Sequence, residues 1–390
     1  MKSHRAKVNL LGIIVLIIAV ASMAGYVLLL PEVTIEKTAL WMKFSHDFFF
    51  KQYQPKWISR AEIGSYPPSA HVTNTPWISY NKSYCASTCL QMIAYKHGIE
   101  EPIEYFNFIM GFTYGAFLMT TDGCWFIPGG DPISGLKNAS KYLGLEYHML
   151  ITNDEQLFID TCKYLVSKDI PVILPVNMSR LYGWHGFSPH FELLVGYDEN
   201  SFYLYEPVMK ESKFTYGEEG MKFSAKQVVQ AAGDFPSGFY EPWKYALIYF
   251  TKVGEPSVDL HKVFKQNGLM EIGFSAYGKM YSGSKAVKML ANLTVQGKIS
   301  AAMLSFGLQM AAISRSDNAA FLKERFHSNA YAVAAAEELE KAAALYWQGL
   351  KLLKGGLTPS EKSQLVELLH EAAEYEASAG ELLIKAGQAG

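Results

Sequence analysis

CASTCLQMIAYKHG, residues 85–98, puts a cysteine at the head of an amphipathic helix: Leu90, Ile93, Ala94 and His97 recur at helical spacing, and Gly98 closes the end. A helix N-terminus carries unpaired N–H groups and the positive end of the macrodipole, and both favour thiolate over thiol. Far along the chain, HFELLVGYD (190–198) reads as a buried strand opened by His190. A neutral imidazole within hydrogen-bond reach of the Cys85 thiol can take its proton and later return it to a leaving group. One strand further on, SFYLYEP (201–207) supplies Glu206, a carboxylate that can hold the ring from its other side. These are the parts of a cysteine-nucleophile acyl-transfer site, and only a fold can bring them together.

The chain between them can build such a fold. Segments 132–144 and 154–167 read as helices, the second amphipathic through Leu157, Phe158, Cys162 and Leu165. Strands follow at 171–177, 190–198, 201–207 and 245–252, the middle pair joined by a hairpin turn at Glu199-Asn200. The Gly-rich aromatic stretch 111–130 reads as loop with short strand pieces. Helices first and strands afterwards predict an α+β domain over 76–255, with an antiparallel sheet against the Cys85 helix. Residues 31–75 read as a stalk or lead-in with the turn-forming SYPPSA.

From residue 256 to 390 the composition shifts to Ala, Leu and Met at helical spacing, over 283–313 and 318–352. TPSEK (358–362) opens a further helix with a capping box, Ser360 standing nearest the cap, and the run continues to Lys385. An all-α bundle of about three to five helices is expected there. Ile299–Ile313 is apolar but too short for a membrane span, and reads as bundle core.

The chain has 390 residues, 49% hydrophobic and 14% aromatic, so core material is ample. A formal charge of −2 with no long basic run argues against nucleic acid as a partner. Residues 9–30 form an uncharged apolar run, long enough at about 1.5 Å per residue to cross a hydrocarbon core of about 30 Å. Lys2, Arg5 and Lys7 precede it, so residues 1–8 are expected in the cytoplasm and the main domain outside, on a single-pass transmembrane anchor. A cleaved signal peptide ending at Ser22-Met23-Ala24 is the rival, but the apolar run continues past that site. The sequons at Asn81, Asn138, Asn177 and Asn292 are compatible with an external location.

Cys85, Cys89, Cys124 and Cys162 show no paired spacing for zinc, and neither a metal nor a cofactor is expected. The last three read as core thiols, with a Cys124–Cys162 disulfide left open. His185, in a Trp-Gly loop, is the substitute for His190 as general base, while Asp198 reads as a solvated turn residue. The aromatic loops 111–126 and 181–187 could line a cleft for an apolar or peptide ligand, or simply pack.

On these residues the chain resembles the papain-like peptidases that trim double-glycine leaders from bacteriocins. In that group the cysteine is followed by Leu at +5, Met at +7 and Gly at +13, here Leu90, Met92 and Gly98; the strand carries Gly-Tyr at +6 and +7, here Gly196 and Tyr197. The group's third residue is Asp or Asn before Pro, where this chain has Glu206-Pro207. The chain also resembles the butirosin-biosynthesis protein H family, whose C-terminal helices carry a segment similar to Phe321-Leu322-Lys323-Glu324 and an Ala-rich helix similar to the run to Trp347. The group's oxyanion-stabilising Gln is missing: Ser79 stands at its place and Asn81 is the nearest amide, with the Cys85 N–H a further donor.

The resemblance implies a papain-like cysteine hydrolase acting on a peptide, amide or acyl-thioester substrate. Acyl transfer from a thioester to an amine is the first alternative. It ranks second because carrier-protein thioesters are cytoplasmic and the expected topology is external. A membrane-surface peptide-binding module without catalysis is the other.

Overall fold

The computed structural model describes residues 45–111, 115–120, 124–209, 219–239, 241–276 and 278–389. The chain divides into two units, Met1–Gln52 and Tyr53–Gly390, and the second holds every element described below. The apolar run 9–30 lies outside the described residues, among which no helix is long and apolar enough to cross a membrane.

A mixed sheet of eight strands forms the centre: β1 (Lys56–Trp57), β5 (Leu145–Thr152), β10 (Tyr245–Lys252), β6 (Val172–Asn177), β7 (Pro189–Tyr197), β8 (Ser201–Tyr205) and β9 (Met221–Ser224) in that order, with β2 (Ala70–His71) paired to β7 off the main path. All pairings are antiparallel except β1 with β5. Thus 53–75, expected as lead-in, contributes two short strands. β6 and β7 are apolar and buried almost throughout because both sheet faces are covered. Helix α1 (Cys85–Lys96) packs on β7, and its Cys89 thiol donates to the Phe191 carbonyl at 3.7 Å. The Phe191 ring points to the other face, meeting Phe235 of α6 (Ala225–Phe239) at 5.6 Å.

Four further helices complete this part: α2 (Ile103–Met110), α3 (Pro132–Ser140), α4 (Glu155–Ser167) and α5 (Met178–Tyr182). α4 starts where the sequence places it, capped by Asp154, whose side chain accepts from the Leu157 N–H at 2.9 Å.

A β-bulge in β7 sets the register of the hairpin. Tyr197 pairs with Phe202 and Gly196 with Tyr203, but the count slips by one so that Leu194 faces Leu204 and Leu193 faces Tyr205. A one-residue slip moves every following side chain to the opposite face. Without it, Glu206 would align with Leu193 and project away from His190. With it, the next positions oppose Glu206 to Glu192, on the face His190 shares. Gly196 belongs to this kink, and β2 crosses it so closely that an added Cβ would lie 2.3 Å from the His71 ring.

A second sheet of four strands runs β11 (Ser275–Ala276), β12 (Met280–Ser282), β3 (Phe117–Met119), β4 (Trp125–Ile127). It joins the aromatic 111–130 stretch to the C-terminal region. That region continues in α7 (Leu260–Ile272), α8 (Gly283–Val295), α9 (Ala301–Arg325), α10 (Ala330–Leu352) and α11 (Pro359–Gln388), around a core that includes Leu290, Leu308, Tyr346 and Leu369. Helix is expected continuously over 283–313, but the chain breaks at Gly297, with φ +67°, and restarts at the Ser300 cap. Asn329 caps a second restart inside 318–352.

The last helix is capped by Thr358 rather than Ser360. Thr358 exchanges hydrogen bonds with Glu361, and Pro359 takes the first helical position, where a missing N–H costs nothing. All four cysteines are free thiols, and Cys124 belongs to the helical core. Asn177 of the four sequons is buried as the cap of α5, which leaves no room for a glycan.

Candidate active site

Cys85 is the first residue of α1, half-buried, behind Tyr84 at the N-cap position. The Tyr84 carbonyl accepts from the Thr88 N–H at 2.8 Å and the Ser87 hydroxyl at 3.0 Å, so the first turn begins at Tyr84. As a first-turn residue, Cys85 keeps its N–H out of the intrahelical ladder. Cys85 lies close enough to the His190 ring to raise its pKa. His190 is buried at the start of β7, and its Nε2 lies 2.7 Å from Glu206 Oε1. Nδ1 is therefore the nitrogen left for the thiol. With a carboxylate accepting at Nε2, the tautomer that leaves Nδ1 free to accept is the favoured neutral form.

Glu206 is held as firmly as the ring. Its Oε1 accepts from the Val208 N–H at 3.0 Å and its Oε2 from the Met209 N–H. Its backbone carbonyl accepts from Trp77 Nε1 at 2.9 Å, and the Tyr80 N–H donates to the Pro207 carbonyl at 3.0 Å. Segment 77–80 is thereby laid beside the carboxylate. Burial alone would lower the His190 pKa, but Cys85 and Glu206 on its two sides outweigh it and raise the ring well above its ordinary value.

The other sequence candidates fall as follows. Ser79 is buried, and its hydroxyl has no hydrogen-bond partner among the described residues. Asn81 is exposed. His185 sits exposed in the 183–186 loop, whereas His190 is buried. Asp198 is a turn residue paired with Lys222 at 2.7 Å. Burial raises the pKa of Cys89, Cys124 and Cys162 alike. The two aromatic loops meet at Trp125 and Phe187, whose ring centroids are 5.2 Å apart.

Glu192 was missed. It is fully buried two residues beyond His190, takes the Tyr182 hydroxyl on Oε1 at 2.8 Å, and has no partner for Oε2 among the described residues. Burial pushes its carboxyl up to about 8 against the opposing pull of His190, with the neighbouring Glu206 adding to the rise, which favours the neutral acid at pH 7. The available signal was an acid at +2 from the histidine on one strand, which places both on one face. His190, Glu192 and Glu206 each bring a potential ligand atom within 4.8 Å of the others. The 2.7 Å Nε2–Oε1 separation is that of a shared proton. Two legs of about 2.0–2.2 Å around a tetrahedral zinc would hold those atoms over about 3 Å apart.

No family model matches the chain, and no curated protein does. The resemblance to the butirosin-biosynthesis protein H family therefore gains no support. Among solved structures, one described as a "putative C39-like peptidase from Bacillus anthracis" matches at 16% identity and a TM-score of 0.33, covering 48% of this chain and 100% of that one. At that score, the functional reading stands on the site itself.

Proposed function

We propose that the chain is a papain-like cysteine hydrolase of the peptidase or amidase type. The observation that carries this reading is the Cys85–His190–Glu206 cluster, in which a half-buried thiol and a buried carboxylate both favour the proton on one buried imidazole. In this mechanism His190 Nδ1 takes the Cys85 proton to form a thiolate–imidazolium pair, and the thiolate sulfur then bonds to the substrate carbonyl carbon. His190 then gives that proton to the leaving group as the C–N bond breaks and an acyl-enzyme remains. Water, activated by the same ring, adds to the thioester, and the carboxylic acid leaves as Cys85 regains its proton. Glu206 keeps the ring oriented and stabilises the imidazolium. The Cys85 N–H and the Ser79 hydroxyl are the proposed oxyanion donors.

The test is turnover of peptide-amide and acyl-thioester substrates, with and without an added amine acceptor. Cys85→Ala and His190→Ala should each lower the rate by roughly 10²–10⁴-fold, in variants shown by urea unfolding to be folded under the assay conditions. Turnover that survives Cys85→Ala contradicts the acyl-enzyme. Product appearing only with the amine would make the protein an acyltransferase. The proposal includes an N-terminal membrane anchor, which rests on the apolar run 9–30 alone. Protease added to intact cells should digest the domain bearing Cys85, and protection until lysis would reverse that topology.

A further inference from the structure

Helix α9 of the C-terminal region reaches the residues immediately before the nucleophile. Asp317 Oδ2 accepts from the Tyr84 hydroxyl at 2.7 Å and from Lys82 Nζ at 2.6 Å. Tyr84 is 3% exposed, so its hydroxyl has no bulk water to fall back on, whereas Lys82 keeps a side chain 35% exposed. The same Tyr84 gives its carbonyl to the first turn of α1. Its backbone, at φ −108° and ψ 31°, is the joint from which Cys85 projects, and no side-chain cap stabilises that joint locally.

The helix making this contact is itself fixed. Arg315, fully buried two residues earlier, donates to Glu376 Oε1 at 2.8 Å, to the Gly115 carbonyl at 2.5 Å and to the Pro128 carbonyl. Further along α9, Phe321 packs on Phe108 with centroids 5.5 Å apart, and Arg325 reaches Glu101 at 3.2 Å.

We infer that Asp317 is a positioning residue for Cys85. By holding the Tyr84 side chain from outside the papain-like part, it sets the start of α1 and with it the direction of the Cys85 sulfur and N–H. The inference rests on Cys85 being the nucleophile. It makes the C-terminal helices part of the machinery of that site. The effect runs through the hydroxyl bond, since the partly exposed Lys82 can exchange Asp317 for water where the buried Tyr84 hydroxyl cannot. A displacement of the order of 1 Å at a reacting atom can cost about 100-fold.

The experiment measures carbamidomethylation of Cys85 by iodoacetamide at pH 7 in the full chain, by mass spectrometry. Urea unfolding of each variant runs alongside. Asp317→Ala is expected to lower the Cys85 rate about 10- to 100-fold. Asp317→Asn, which still accepts from Tyr84, should restore most of it, and Lys82→Ala should leave it near wild type. Tyr84→Phe should reproduce Asp317→Ala, and the double variant should be no slower than either single one, because both remove the same bond. If Asp317→Ala does not fold, Tyr84→Phe, lacking one oxygen atom, carries the test. A wild-type or faster Cys85 rate in Asp317→Ala or in Tyr84→Phe overturns the inference. A wild-type chain in which Cys85 reacts no faster than the other three cysteines overturns the hydrolase reading instead, before any variant is compared.

Discussion

His190 binds its proton between a thiol and a carboxylate, and that placement controls how any reaction here depends on pH. Glu206→Gln keeps a partner at Nε2 but removes the negative charge that favours the imidazolium. The alkaline limb of kcat/KM against pH should therefore move down towards the ordinary histidine range, and a limb that stays in place would detach Glu206 from the titration of the ring. Glu192 gives the complementary test. As a carboxyl held near 8 it is neutral at pH 6, so Glu192→Gln should leave the rate there within about twofold. Above pH 8 the wild type gains an anion close to His190 that the glutamine variant lacks, so the two profiles should separate. Coincident profiles up to pH 9 would show that Glu192 does not ionise beside the ring.

At the scale of elements, the Cys85 helix, the His190 strand and the Glu199-Asn200 turn are legible in the sequence because spacing and turn chemistry are local. The bulge that brings Glu206 to the face of His190 is not, since it depends on how β2 and β8 both meet β7. Period-2 spacing puts Glu192 on the face of His190, but its burial without a partner for Oε2 among the described residues depends on tertiary packing that spacing does not carry. Helix boundaries in the C-terminal region turned on single caps. Thr358 rather than Ser360 is the one with extended backbone, at φ −67° and ψ 160°. Thr358→Ala should destabilise the chain by about 1 kcal/mol in urea unfolding, and Ser360→Ala by much less. The reverse order would return the cap to Ser360.

Across the whole molecule, three glutamates, Glu192 and Glu271 fully buried and Glu241 partly so, share one property. Burial pushes Glu192, Glu241 and Glu271 each to about 8, from an ordinary 4.5. Between those values the folded chain holds protons that the unfolded chain has released, so this contribution to stability is present below about pH 4.5 and is lost as pH rises through 8. The raised His190 acts in the same direction. Asp160 and Asp169, lowered overall by hydrogen bonds and cations despite partial burial, act oppositely and lose their contribution on acidification. Melting temperature should accordingly peak on the mildly acidic side and fall between pH 6 and 9. A Glu192→Gln, Glu271→Gln double variant should flatten that fall, and an equally steep one would place the pH dependence elsewhere. None of this whole-chain behaviour is visible in composition, because a formal charge of −2 does not reveal which carboxyls are buried.

The claim on which the rest depends is that His190 activates Cys85. Brief treatment with iodoacetamide at pH 7, followed by peptide mapping of the wild type and of His190→Ala, tests it most directly. The account predicts modification at Cys85 while Cys89, Cys124 and Cys162 remain free, and a rate at least about tenfold slower once the imidazole is gone. Cys85 labelling that proceeds equally fast without His190 would reduce its reactivity to mere exposure and contradict the nucleophile–base pair.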